Sequence, residues 1–205
     1  MRRRWIFAFE GPCLSGKTVT LEAVRTELVA RNVPVLRVDD YTRYAGGHEN
    51  FPPVVTRSAS DARSVAEYFL DLEAKRRNDV AKWLRAQSTE TVSVVLVDRL
   101  ICTCMRVRER VGDSIGYRIF EEAARKGTVI LPDVTFLLEL PPSKEEVARR
   151  SLERTAFEGS EILYDPGGYA ECLMKIERTI PLNLYRVGPD QLADVPAYVF
   201  RALLG

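Results

Sequence analysis

Apolar residues in this chain fall into short unbroken runs, separated by longer stretches in which they recur every three or four positions. Trp5-Ile6-Phe7-Ala8-Phe9 is the first run, and Val92-Ser93-Val94-Val95-Leu96-Val97 is the most β-branched. Runs of this kind suit strands buried on both faces of a parallel sheet. Pro34–Val38, Val134–Leu140 and Leu182–Val187 complete a set of five. Between them the period is helical. Leu21, Val24 and Leu28 place a helix from Lys17 to about Arg31, ended by Asn32 and Pro34. Val65, Phe69, Leu72, Val80 and Trp83 stripe a long helix, or a broken pair, over Ser60–Ala86. Residues 105–126 read as mostly helical with a break at Gly112-Asp113-Ser114, and Tyr169–Arg178 as a further helix. Gly188-Pro189-Asp190 turns into a last helix ending at Leu204. Thr42–Arg57, with Gly46-Gly47 and Pro52-Pro53, reads as a loop. Five strands alternating with helices imply a parallel α/β sheet with right-handed crossovers.

The 205 residues suit one domain, 1–205, without internal repeat or linker. A net charge of +1 gives no bulk electrostatic case for a nucleic-acid or membrane partner. Arg2-Arg3-Arg4 before Trp5–Phe9 is too short an apolar run for a signal peptide, and no run approaches a transmembrane length, so a cytoplasmic protein is expected. Cys13, Cys102, Cys104 and Cys172 lack the spacing of a zinc or redox site. A single histidine, His48, leaves no material for a histidine triad or a multi-histidine metal site, and it is given no role.

Chemistry enters after the first strand. Gly11-Pro12-Cys13-Leu14-Ser15-Gly16-Lys17-Thr18 fits the phosphate-binding loop G-x-x-x-x-G-K-[ST], in the strand–loop–helix context that pattern requires. Glycines let backbone N–H groups curl around phosphates, and the helix N-terminus favours their charge. Lys17 is expected on the β- and γ-phosphates of ATP or GTP, with the Thr18 hydroxyl on Mg²⁺.

Three further sites lie where ligands bind open parallel sheets, at the carboxyl ends of strands. Asp39-Asp40 follows the second strand; each is either a turn or cap residue, or a catalytic base or ligand of a Mg²⁺-bound water. Asp98-Arg99 follows the third. Asp98 suits the magnesium and Arg99 a phosphate, unless the two form a structural salt bridge. Arg76 falls on the apolar stripe of the long helix, so it has either a buried ion-pair partner or a snorkelling path, or it reaches a substrate base or phosphate. Pro141-Pro142 ends the fourth strand, and Ser143-Lys144-Glu145-Glu146 is a capping box. The helix beyond carries Arg149, Arg150 and Arg154 ahead of Gly159 and Gly167-Gly168. It reads as a lid over about 149–167 that supplies arginines to a developing phosphoryl charge, or as a solvated basic face.

In this order the motifs resemble the thymidylate kinase and deoxynucleoside kinase branch of phosphate-loop kinases over nearly the whole chain. Phe9-Glu10-Gly11 before the loop, Lys75-Arg76 late in the long helix, Val97-Asp98-Arg99 and Leu140-Pro141-Pro142 before an arginine-rich helix carry the likeness. The resemblance implies a three-layer fold with strand order 2-3-1-4-5, ATP–Mg²⁺ as donor, a nucleoside or nucleoside monophosphate as acceptor (a pyrimidine favoured), and usually a homodimer. It puts Arg76 and Arg99 at the acceptor, and Gly188 and Pro189 where the family cradles adenine. Two departures bear on the acceptor. Thymidylate kinases usually show Arg-Glu-Pro after the second strand, where this chain has Asp39-Asp40-Tyr41-Thr42-Arg43, and an aromatic residue where it has Leu100. A phosphate acceptor needs cations, whereas a hydroxyl acceptor must lose a proton. An aspartate at the end of the second strand resembles uridine kinases and small-molecule phosphotransferases. A nucleoside hydroxyl, or the hydroxyl of a specialised metabolite, sugar or antibiotic, is therefore an alternative acceptor. A regulatory ATPase without a small-molecule acceptor is the reading from another class.

Overall fold

The structure is a computed structural model that describes residues 3–12, 14–52, 58–101, 115–140 and 173–204. Its centre is a five-stranded sheet of β1 (Arg4–Glu10), β2 (Val35–Val38), β3 (Ser93–Asp98), β4 (Val134–Leu138) and β5 (Leu184–Val187). The order is β2-β3-β1-β4-β5 and every pairing is parallel. This is the order the resemblance implies.

The unbroken apolar runs follow from burial on both faces. Phe7 and Phe9 of β1 point to a core shared with Leu21, Val24 and Leu28 of α1 (Lys17–Ala30) and Val195, Val199 and Leu203 of the last helix. Ala8, between them, faces the opposite core, with Val65, Phe69, Leu72 and Val80 of α3 (Ala59–Ala86) and Phe120 of α4 (Ile115–Arg125). Alternate residues of one strand thus serve two helical layers. The last helix, α5, spans Val195–Leu204 and is entered through a 3₁₀ turn over Leu192–Asp194.

Element ends carry the expected stop and start chemistry. Asn32 is left-handed (φ 56°), and the Val33 N–H reaches the Leu28 carbonyl at 2.9 Å, closing α1 in a Schellman arrangement. The Ser58 hydroxyl accepts from the Asp61 N–H at 3.1 Å and starts α3, which runs unbroken for 28 residues rather than as a pair.

One element differs from the sequence reading. The segment after β2 does not begin as a loop: Tyr41–Ala45 is a short helix, α2, followed by a 3₁₀ turn at His48–Asn50. Asp40 caps α2 and left-handed Gly46 (φ 80°) ends it. Residues 53–57 lie outside the described residues, as do the break at 112–114, the Pro141-Pro142 stop, the capping box at 143–146 and the lid expected at about 149–167. Of the helix expected over Tyr169–Arg178, residues 173–177 are helical. No helix among the described residues is long and apolar enough to cross a membrane.

Candidate active site

Strand register sets the site. Phe9 lies beside Asp98, and Val38 beside Val97. Glu10 with the phosphate loop, Asp39-Asp40 and Asp98-Arg99 therefore emerge together from the carboxyl edge of three adjacent strands.

The phosphate loop is shaped by close approach. Gly11 has φ 140°, and a Cβ there would stand 2.3 Å from the Leu138 carbonyl oxygen. Gly16 is the left-handed N-cap of α1 (φ 91°); no side chain caps that helix and no acidic residue occupies its first turn. Buried Lys17 donates from Nζ to the carbonyls of Gly11 (2.9 Å) and Pro12 (2.6 Å). Ser15 is fully buried, and its Oγ has no hydrogen-bond partner among the described residues. An uncapped helix N-terminus, an orphaned hydroxyl and a buried ammonium in one loop fit the phosphates of a nucleotide. Thr18 is exposed in the first turn of α1, and Asp98 is 7% exposed at the end of β3. A hydroxyl and one carboxylate form the sparse oxygen set that suits Mg²⁺ carried on substrate phosphates.

Asp98 sits in a mixed field. Burial pushes its carboxyl above the ordinary value and Asp40 adds to the rise, while Arg99, Lys17 and Arg37 pull it back. Asp98 is thus the group on which Arg99, Lys17, Asp40 and Arg37 all act.

The two aspartates after β2 are placed differently. Asp39 is held by arginines: Arg37 Nε is 2.8 Å from Oδ1, and Arg43 pairs with Oδ2. Arg37 also pairs with Glu22 of α1. Asp40 accepts from the Thr42 N–H at 3.0 Å with Oδ1, as the cap of α2, and its charge adds to the rise at Asp98.

Arg99 has φ 67°. Its N–H reaches the Phe9 carbonyl at 3.1 Å, and Nη1 lies 3.4 Å from the Gly11 carbonyl. The next residue, Leu100, donates its N–H to the buried carboxylate of Glu10, whose other oxygen takes the Gly11 N–H at 3.3 Å. Arg76 is fully buried and turned inward. Nη2 donates to the carbonyls of Asp98 and Arg99, both at 3.0 Å, and Nη1 to Glu73 at 3.1 Å. Gly188 follows β5, and its N–H donates to Gln191 Oε1 at 3.0 Å. The turn through Gly188 and Pro189 leads to Leu192, which packs against Gly16. Cys13, Arg149, Arg150 and Arg154 lie outside the described residues.

Compared with solved structures, the chain is similar over 98% of its length, and 99% of the other's, to a crystallised thymidylate kinase from Ehrlichia chaffeensis, with a TM-score of 0.59. The fold is that of a thymidylate kinase. Sequence identity across this thymidylate kinase fold is 16%, so the likeness is one of architecture. No protein-family model matches the chain, and no curated protein matches it in sequence.

Three buried residues of the site, Glu10, Tyr41 and Glu73, carry no role in the sequence reading. Glu73 had a signal: it lies three residues before Arg76 on the same helical stripe, the spacing at which a buried arginine meets a carboxylate. Tyr41 has none, because its partner Glu73 is 32 residues away, and Glu10 enters only through the Phe9-Glu10-Gly11 likeness, because Leu100, which it holds, is 90 residues away.

Proposed function

We propose that this chain is an ATP-dependent phosphotransferase that acts on a small-molecule hydroxyl, with a nucleoside as the first candidate acceptor. The observation that carries the reading is the meeting of Asp40, Asp98 and Arg99 with an uncapped phosphate loop at one sheet edge. Bound Mg-ATP would supply the phosphoryl group. The loop amides, the Lys17 ammonium and the Ser15 hydroxyl hold its phosphates, and Thr18 and Asp98 hold the cation. Gly188 and Pro189, beside the loop, border the adenine. Arg99, anchored above Gly11, meets the charge on the transferred group.

Asp40 is the base. It accepts the acceptor's hydroxyl proton as the acceptor oxygen bonds to phosphorus and ADP leaves. Asp39 is a structural partner of Arg37 and Arg43. A nucleoside monophosphate would need cations where this chain presents Asp40, so the same scaffold is read here as serving a hydroxyl. Arg149, Arg150 and Arg154 are the further cation donors in this reading.

The test is Mg-ATP turnover with thymidine, other nucleosides, their monophosphates, sugars and no acceptor. Asp40→Asn is expected to lower transfer at least ~10²-fold. Asp39→Asn is expected to lower it no more than about threefold, the scale of a partly exposed ion pair. Turnover with thymidine monophosphate that neither substitution changes would make the acceptor a phosphate. Turnover with no acceptor at all would overturn the reading.

A further inference from the structure

Beneath the site lies a buried polar cluster that the proposed chemistry does not use. Glu73, on α3, is 1% exposed. Its Oε2 accepts from the Tyr41 hydroxyl at 2.6 Å and from Arg76 Nη1 at 3.1 Å, and its Oε1 from the Ile130 N–H at 2.7 Å. The Arg76 guanidinium lies 4.1 Å over the Tyr41 ring. Two arms leave this cluster. Tyr41 is the first residue of α2 and directly follows its cap, Asp40. Arg76 grips the carbonyls of Asp98 and Arg99, where the chain takes its left-handed turn.

A buried ion pair is a poor device for stability alone, because desolvation offsets most of the attraction and well-packed apolar residues often do as well. What such a pair does supply is direction. The Glu73 carboxylate accepts from Tyr41, which starts α2, and from Arg76, which in turn donates to the backbone that carries Arg99, so one carboxylate is tied to both halves of the site.

We infer that Glu73 is a positioning residue: acting through Tyr41 and Arg76, it sets the spacing between Asp40 and Arg99 across the mouth of the site. The inference rests on the phosphotransfer reading for its purpose but not for its geometry. Tyr41 and Arg76 are positioning residues of the same unit. On this account Arg76 supports the turn that carries Arg99 and does not read the acceptor.

Hydrogen exchange on the full chain without ligand tests the geometry. In Glu73→Gln the single amide oxygen cannot serve both the Tyr41–Arg76 pair and the Ile130 N–H, which take different oxygens of the carboxylate. In Tyr41→Phe a single hydroxyl is lost, while the ring stays under Arg76. Both variants are expected to speed exchange about tenfold in residues 39–43 and 98–101 together, with α1 and β4 unchanged. Exchange that rises in only one of the two segments, in neither, or uniformly over the chain overturns the inference. Tyr41→Phe decides the matter if Glu73→Gln does not fold.

Kinetics then test the consequence, with whichever panel acceptor the unaltered protein phosphorylates. Tyr41→Phe is expected to lower kcat roughly tenfold to a hundredfold, the scale of an ångström misplacement, with the KM for ATP changed less than about twofold. An unchanged kcat overturns the inference. If the unaltered protein phosphorylates nothing, the phosphotransfer reading fails, and the exchange pattern still decides whether Glu73 couples the two segments.

Discussion

Asp98 illustrates at the scale of one residue how stability and chemistry pull apart. Its carboxyl is raised mainly by burial, with Arg99 and Lys17 only partly offsetting that cost. Between the ordinary aspartate value and the raised folded value, the folded chain holds a proton that the unfolded chain has released. Stability therefore falls as pH rises through that window, and the cost of the buried charge persists above it. Asp98→Asn is expected to melt higher than the parent at neutral pH and to lose that component of the acid-side slope. Its Mg-ATP turnover should fall on the order of 10²-fold or more. Thermal melts from mildly acid to neutral pH, run beside turnover, check both; a variant that melts lower at neutral pH would contradict the assignment. At Tyr44 the hydrogen-bond partner adds to burial instead of offsetting it. Burial and its bond to Asp79 push its phenol up to about 12, so it remains a donor joining α2 to α3 well into the alkaline range.

The first βα junction shows the same division among glycines at the scale of an element. Gly11 combines a positive φ with the close approach of the Leu138 carbonyl, so alanine there has neither the backbone conformation nor the room. Gly127, which ends α4 at φ 65°, has nothing within 4 Å of an added Cβ. Gly11→Ala is expected to weaken nucleotide binding by more than tenfold, on the order of 1.4 kcal/mol or more. Gly127→Ala should leave binding unchanged and cost only the left-handed strain of about 1–2 kcal/mol. Calorimetric titration with ATP and a thermal melt of each variant separate the two cases.

The elements also mark how far sequence alone carries. Strands buried on both faces announce themselves as unbroken apolar runs, and α3 by its stripe. The phosphate loop is legible because its residue types answer to a local backbone need. Helix α2 is not legible because five residues, Tyr-Thr-Arg-Tyr-Ala, are too few to show a period; of its two cues, the cap at Asp40 competes with a chemical reading of the same side chain, and Gly46 reads equally as part of a loop. The inward turn of Arg76 was open in the sequence because the groups it meets, the carbonyls of Asp98 and Arg99, are 22 and 23 residues away and are backbone, which no residue type reveals.

At the scale of the whole molecule, one ligand should be felt everywhere. The phosphate loop joins β1, at the centre of the sheet, to α1, which packs against α5 in the same core. Saturating Mg-ATP, at about 100 times its Kd, adds roughly 2.7 kcal/mol. For a chain of about this length that corresponds to a rise in Tm of about 5–11 °C. Lys17→Met should lose most of the rise. Differential scanning calorimetry with and without Mg-ATP measures it, and equal shifts in the two proteins would remove Lys17 from the nucleotide site.

Parallel strands give the molecule two unlike ends. All of the chemistry described above gathers at the carboxyl end of the sheet. At the other end, Arg4 pairs with Ser93, and the exposed segment Ser88–Thr91 lies nearby, where Arg3 reaches the Thr89 carbonyl. A fluorophore, an affinity handle or a surface tether attached along Ser88–Thr91 would stand a full strand length from Lys17 and Asp98. The protein can thus be immobilised or labelled by one pole while the other is left to work.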